Sequence, residues 1–292
     1  MTEGTAPPPL ARLVFPFVAA LSVALVPGLV RADQPRDWMV GPQPGGTFLY
    51  VDAALPAMGA QFLLEHRVPV NGVQNELAMR ANALMTALLA EGQLDVDLRV
   101  LVFTVGAGLG YNDTFRGLVF RPDEPIDRAH RRKRDFAGDN TELDIWYGEA
   151  RFNLSVPFND YVVFLNLNTF RFEDRPDRSF DWRQGIVHDG FYFKSDFHLF
   201  LKHRAAGAIA PLVQFYDLEI DGKMRTMFNY GFFFLTRPGL RRRDDILLFT
   251  MLFNFGKTFG NYDAEAVYGA HSFYAPMTFL LAYRMVFDLG SD

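Results

Sequence analysis

The 292-residue chain has no cysteine, so neither a disulfide framework nor a thiolate metal centre can be built from it. It also lacks a strong charge of either sign. Lysine and arginine number 29 against 34 aspartates and glutamates, giving a net charge of −5, and there is no basic stripe; nucleic acid is therefore not an expected partner. After residue 32 no apolar run reaches the length of about 18 residues that a membrane helix needs. No phosphate-binding loop, dinucleotide fingerprint or metalloprotease motif occurs, so no cofactor is expected. Nor does any repeat appear beyond the scale of a single strand.

What the chain has in quantity is aromatic and apolar surface. Phenylalanine alone accounts for 30 residues, and 49% of the chain is hydrophobic. A soluble protein would need a very large core to hide that much. Residues 1–32 read as a signal peptide. Arg12 precedes an apolar run over 13–30, and Val30-Arg31-Ala32 offers a cleavage site that would leave Asp33 as the first mature residue. An uncleaved anchor is the other reading of this run, but Pro16 and Pro27 interrupt it. Residues 33–292 then form one domain.

That domain alternates with a period of two. Over 187–203 the odd positions carry Val187, Phe191, Phe193, Phe197, Leu199 and Leu201, while the even ones carry His188, Tyr192, Lys194, Asp196, His198 and Lys202. A strand sends alternate side chains to opposite faces, so this one has an oily face and a charged face. The same pattern sets Leu94, Val96 and Leu98 against Asp95, Asp97 and Arg99. It sets Trp146, Ala150 and Phe152 against Glu149 and Arg151, and Phe228, Phe232 and Phe234 against Arg225 and Asn229. It recurs in Leu247–Phe255, and in Met277–Phe287 against Thr278 and Arg284. Val163, Leu165 and Leu167 are read as the oily face opposite Asn166 and Asn168. Residues 74–89 have helix-like composition, yet Leu77, Met79, Ala81 and Ala83 share a parity against Glu76, Arg80 and Asn82, so a strand is expected. Two segments are blurred: 206–220 changes parity near Pro211, and 47–68 is broken by Pro56.

An oily aromatic face opposite a charged one is what a closed antiparallel transmembrane β-barrel requires, with lipid outside, a polar lumen inside and no free edge. A soluble exported ligand-binding barrel would invert the two faces, and parity alone cannot see the inversion. Counting strands so that both ends finish on one side gives ten, with 47–68 as one long kinked strand and a long outer loop over about 112–141. If 47–55 and 59–68 form a hairpin and 264–271 also spans, the count is twelve.

The leader, the alternating segments and the aromatic closing strand with Tyr283, Met285 and Phe287 resemble the Gram-negative outer-membrane β-barrel proteins as a superfamily. The resemblance covers the mature chain and is architectural. It implies an outer-membrane location after export, a lipid and lipopolysaccharide environment, and recognition of the last strand by the barrel-assembly machinery. Asp288-Leu289-Gly290-Ser291-Asp292 follow the aromatic residues here, a departure from the usual aromatic end.

The residues expected to line the lumen are Glu76, Arg80, Asp95, Asp97, Arg99, Glu149, Arg151, Lys194, Asp196, His198, Arg225 and Arg284. Both signs are present, so the wall can neutralise itself as a salt-bridged structural barrel. The alternative is a narrow water-filled, porin-like path for a small polar solute. An enzyme is a third reading. Outer-membrane lipid hydrolases place a serine two residues after a histidine on one strand, and His188, His198 and His203 are followed at that spacing by Gly190, Phe200 and Ala205. Asp95/Asp97 and Asp196/His198 have the same-face spacing of a peptide-hydrolysing carboxylate or Asp–His pair, which any polar lumen also produces. Arg128, Arg131, Arg132, Lys133 and Arg134 form a basic cluster in the outer segment 116–139, suited either to solvent or to lipopolysaccharide phosphates.

Overall fold

Twelve antiparallel strands close into a barrel in the computed structural model. It describes residues 45–55, 59–70, 75–117, 119, 141–181, 184, 186–203, 207–236, 245–253 and 277–290, all within the unit Pro42–Asp292. The proposed signal peptide lies outside the described residues. In chain order the strands are β1 (Gly46–Leu55), β2 (Gly59–Pro69), β3 (Glu76–Met85), β4 (Leu89–Val100), β5 (Phe103–Gly117), β6 (Thr141–Pro157) and β7 (Val162–Glu173). Two short strands follow, β8 (Ser179–Asp181) and β9 (Ile186–His188), which pair with each other, Ser179 also bridging to Val119. Then come β10 (Phe191–His203), β11 (Gly207–Ile220), β12 (Lys223–Thr236), β13 (Ile246–Phe253) and β14 (Met277–Gly290). Pairing of β1 with β14 from Thr47↔Gly290 to Leu55↔Leu281 seals the wall. No described helix is long and apolar enough to cross a membrane.

The count corrects the expectation of ten strands. Residues 47–68 make the β1–β2 hairpin rather than one kinked strand, and Pro56 falls between the two. The second addition is β5, which takes in 112–117 from the expected loop and leaves only 118–140 between β5 and β6. Residues 264–271, which the twelve-strand alternative used as a strand, lie outside the described residues. Residues 74–89 contribute β3, a strand.

Turn chemistry explains the hairpins. Asp221 and Gly222 both have positive φ, 55° and 65°, the backbone a two-residue turn needs to match strand twist. Asn159 Oδ1 accepts from the N–H groups of Tyr161 and Val162 at 2.8 Å each, closing β6 onto β7. Thr86 Oγ1 does the same between β3 and β4, accepting from Leu88 and Leu89 at 3.1 Å.

The register fixes which face is inside. Leu94, Leu109 and Trp146 are outward and 68%, 71% and 65% exposed, whereas Asp95, Asp97 and Tyr147 on the alternate positions are buried. Outward phenylalanines touch from strand to strand. Phe170, Phe193, Phe215 and Phe228 follow one another across β7, β10, β11 and β12 with ring centroids 4.6, 6.2 and 5.0 Å apart. Such pairs favour tilted or edge-on geometry and add to burial.

Three sequence readings change here. On β7 the face shared with the lumen carries Val163, Leu165, Leu167 and Arg171, because Leu165 pairs with His198 and Leu167 with Asp196; Asn166 and Asn168 point outward instead. There they close a ring with outward Ser195. Asn168 Nδ2 donates to Asn166 Oδ1 (2.7 Å), Asn166 Nδ2 to Ser195 Oγ (3.0 Å), and Ser195 Oγ to Asn168 Oδ1 (2.7 Å). Mutual bonding is how polar groups survive on an apolar wall. On β11 no parity change occurs at Pro211. The even positions face inward from Ala208 to Ile220, and both faces are mostly apolar, with Gln214 inward and Asp217 and Glu219 outward. Finally, 187–203 is not one strand. Gly190 has φ +110°, and a Cβ there would lie 2.6 Å from the Glu173 carbonyl, so the chain breaks and Val187 is fully buried in β9 rather than facing outward.

Candidate functional site

All twelve expected lining residues fall on the inward face. The structure joins most of those on β3, β4 and β6 into one ion-pair ladder. Arg80 on β3 lies between Glu65 of β2 and Asp97 of β4, bonded to both. Arg151 on β6 reaches Asp97 Oδ1 and Asp95 Oδ1 at 2.9 Å and Glu149 Oε1 at 2.7 Å. Arg171 on β7 lies 3.7 Å from Glu149 and 2.5 Å from Glu173, with its guanidinium 3.5 Å above the Tyr147 ring. Glu76 stands 3.8 Å from Arg67, which also pairs with Glu65 at 2.5 Å. Arg99 occupies the register position opposite Glu76.

Strand β5 separates β4 from β6, so contact between Asp97 and Arg151 needs a gap in the wall. Its inward positions are Gly106, Gly108 and Gly110. A Cβ on Gly106 would sit 1.7 Å from Asp97 Oδ1, one on Gly108 2.2 Å from Asp95 Oδ1, and one on Gly110 2.2 Å from the Tyr147 ring. The missing side chains let β4 and β6 meet over β5. Through the same gap Tyr147 donates to Glu91 (2.6 Å), and Gln93 Nε2 donates to Glu149 (2.8 Å). A period-two glycine run between Val105, Ala107 and Leu109 is the sequence signal for this; it was hidden because glycine has no polarity to alternate.

The other expected residues lie elsewhere on the inner face. Lys194 and Asp196 pair with each other at 3.1 Å. Arg284 grips Asp52 with Nε and Nη2 at 2.8 and 2.7 Å, across the β1–β14 seam. His198 packs among rings, 5.4 Å from Phe200 and 5.8 Å from Phe233, rather than acting with Asp196 as a pair. Arg225 lies opposite Leu218 on β12. The carboxylates singled out for peptide chemistry, Asp95 and Asp97, are both engaged by guanidinium. Residues 128–134 of the basic cluster lie outside the described residues. Glu65, Arg67 and Arg171 fall outside the expected set, because a single strand over 47–68 hides the first two and the opposite face of β7 hides the third.

Within these pairs the two signs are unequally placed. Side-chain exposure is 26% for Arg80 against 6% for Asp97, 23% for Lys194 against 13% for Asp196, and 37% for Arg284 against 11% for Asp52. Arg151 is likewise more exposed than its three acids. The acids lie against the wall and the cations face the lumen. The order reverses for Glu76 and Arg67, near the rim where β1 begins and β14 ends, and for Glu149 and Arg171.

Opposite this ladder the inner wall carries no charge over long stretches. From Ala208 to Ile220 on β11, Met227 to Leu235 on β12 and Ile246 to Leu252 on β13, the inward residues are apolar, glycine, Gln214, Asn229, Tyr216 and Thr250. Gln214 and Asn229 bond to each other at 2.8 Å. On β14, Leu280 continues this wall and is 38% exposed.

Between β7 and β10 the chain folds back onto the inner wall. Phe180, Ile186 and Val187 of the β8–β9 hairpin pack with inward Tyr192, Tyr216, Leu218, Ile220 and Met227. Asp189 anchors it, accepting from the Arg178 N–H at 2.7 Å. Glu173, Asp181 and His188 converge there within a metal's reach. Two features argue against a metal. Gly190 N–H donates to His188 Nδ1 (3.2 Å), which puts the ring proton on Nε2, the nitrogen that faces the carboxylates. Arg175 also already bonds Glu173 and lies 3.6 Å from Asp181. Burial, with Arg175 beside it, pushes the His188 pKa down, so the ring is neutral. Burial alone would raise Asp181, but His188, Arg175 and Arg171 outweigh it and hold the carboxyl well below its usual range.

Comparison of the sequence with known family models and with curated proteins finds no match in either. The function therefore rests on the barrel itself.

Proposed function

We propose that the chain is an outer-membrane β-barrel, exported through the leader at 1–32, whose lumen is a narrow path for small polar solutes with a preference for anions. The observation that carries this reading is the inversion of faces: bulky apolar side chains are exposed outside while paired charges line the inside. Exposed apolar surface on that scale is unfavourable in water and matched to lipid. The anion preference comes from the cations being the accessible member of the pairs of Arg80, Lys194 and Arg284. Within this reading the basic cluster Arg128, Arg131, Arg132, Lys133 and Arg134 serves lipopolysaccharide phosphates. The outward Tyr283, Met285 and Phe287 serve the assembly machinery.

The test is reconstitution into planar bilayers after outer-membrane fractionation. Discrete conductance with chloride preferred over potassium, weakened by Lys194→Glu or Arg80→Gln, is the expected result. Silence across solutes would leave a structural or interaction barrel. Recovery of the protein in the soluble exported fraction would end the membrane reading.

A further inference from the structure

The two unlike walls of the lumen ask for more than a small polar solute. A charged ladder on β2–β7 suits water and ions, and the inward residues of β11 are buried, but the partly open apolar positions Phe233, Leu248, Leu252 and Leu280 on β12–β14 gain nothing from water or ions, because apolar surface facing water is a cost. A molecule that is apolar along its length and charged at one end satisfies both. We propose that the lumen binds a single-chain anionic amphiphile, an aliphatic carboxylate, with its tail along Phe233, Leu248, Leu252 and Leu280 and its head at Arg284.

Three observations converge on that placement. Leu280 and Arg284 share the inward face of β14, four residues or about 14 Å apart along the strand. They are also accessible, at 38% for the leucine and 37% for the arginine side chain. The Arg284 guanidinium spends Nε and Nη2 on Asp52, which leaves the Nη1 donors for a further acceptor. Finally, the pairs of Arg80, Lys194 and Arg284 present the cation and hold the acid back, which favours a carboxylate over an ammonium head. Selectivity then has two parts: a neutral alcohol of the same length loses the head contact, and a short carboxylate loses the tail.

The proposal takes the membrane-barrel reading as given but does not need conduction. It is tested by native mass spectrometry of the full mature barrel in non-ionic detergent, titrated separately with decanoate, decanol and acetate. The expected result is a saturable one-to-one decanoate adduct, with decanol and acetate at least about tenfold weaker. The neutral double variant Asp52→Asn/Arg284→Gln should lower decanoate binding to the decanol level, and Leu280→Asn should weaken it as well. A heat-shifted mobility on gels, kept by both variants, shows that they still form barrels. Absence of a saturable adduct overturns the proposal, as does equal binding of decanoate and decanol that neither variant changes. Conductance without ligand separates the two readings: a silent barrel that binds decanoate retires the channel and keeps the site, and a conducting barrel that ignores decanoate does the reverse.

Discussion

Arg151 Nη2 on β6 lies 2.9 Å from Asp97 Oδ1 on β4, although β5 runs between their strands. Arg151 is also the partner of Asp95 and Glu149. Arg151→Ala is expected to leave three largely buried carboxylates without it and to destabilise the barrel by about 3–5 kcal/mol. Urea unfolding followed by gel mobility reads this directly. A loss under about 1 kcal/mol would mean the ladder is ornamental rather than structural.

The gap over β5 makes a contrasting pair of glycine substitutions informative. Gly106→Ala drives a methyl group against Asp97, which cannot move without leaving Arg80 and Arg151, and about 1–3 kcal/mol should be lost. On β4 a Cβ on Gly92 would meet nothing within 4 Å, so Gly92→Ala should be neutral or slightly stabilising. Equal effects of the two would refute the gap.

On the outer wall, the Asn166–Asn168–Ser195 ring predicts an asymmetry. Removing one member with Ser195→Ala takes the donor from Asn168 Oδ1 and leaves Asn166 Nδ2 only the Asp196 carbonyl at 3.3 Å, and should cost about 1–3 kcal/mol. Replacing all three, as Asn166→Leu, Asn168→Leu and Ser195→Ala, removes the need for partners and should recover most of that loss. A triple variant worse than the single one would show that the polarity itself is required.

The β8–β9 hairpin should loosen in acid. His188 is depressed by burial and Asp181 by its cationic neighbours, so both bind protons more readily when the hairpin is open. Stability is therefore complete above the ordinary histidine pKa of about 6.5 and is lost as pH falls below it, with Asp181 adding its share below the ordinary aspartate value of about 3.9. Glu173, Arg171 and Arg175 face the same pocket. Hydrogen exchange at residues 179–188, corrected for intrinsic rates, should speed up between pH 7.5 and 5.5, and His188→Gln should flatten that change. Exchange independent of pH would rule the coupling out.

Legibility of the fold tracked how much contrast each strand carried. β4, β12 and β14 set large apolar residues against charges, so parity alone located them and their inward residues. β5 gives little signal because its central inner positions are Gly106, Gly108 and Gly110, so the apolar outer residues Val105, Ala107 and Leu109 have no charge to alternate with. β7 differs for another reason: its inner positions carry Leu165 and Leu167 and its outer positions Asn166 and Asn168, so there the inner face is locally oily and the outer face polar. β11 is mostly apolar on both faces, which looked like a change of phase. The charged half of the site was readable in outline, with Asp95, Asp97 and Arg151 in view. That they meet across a strand was not, since it depends on atoms that are absent.

The glycine run of β5 has a bearing on how such a wall can be assembled. Barrels are built from hairpins, and a hairpin of β4 and β5 alone would leave Asp95 without its arginine, because that arginine arrives only with β6. The smallest piece of this wall that joins Asp95 to its arginine is thus three consecutive strands, with Arg80 of β3 and Arg171 of β7 completing the pairs of Asp97 and Glu149. An assembly intermediate halted before β6 would carry an unsettled acid on its inner surface, giving the growing barrel a reason to hold β4, β5 and β6 together before it closes.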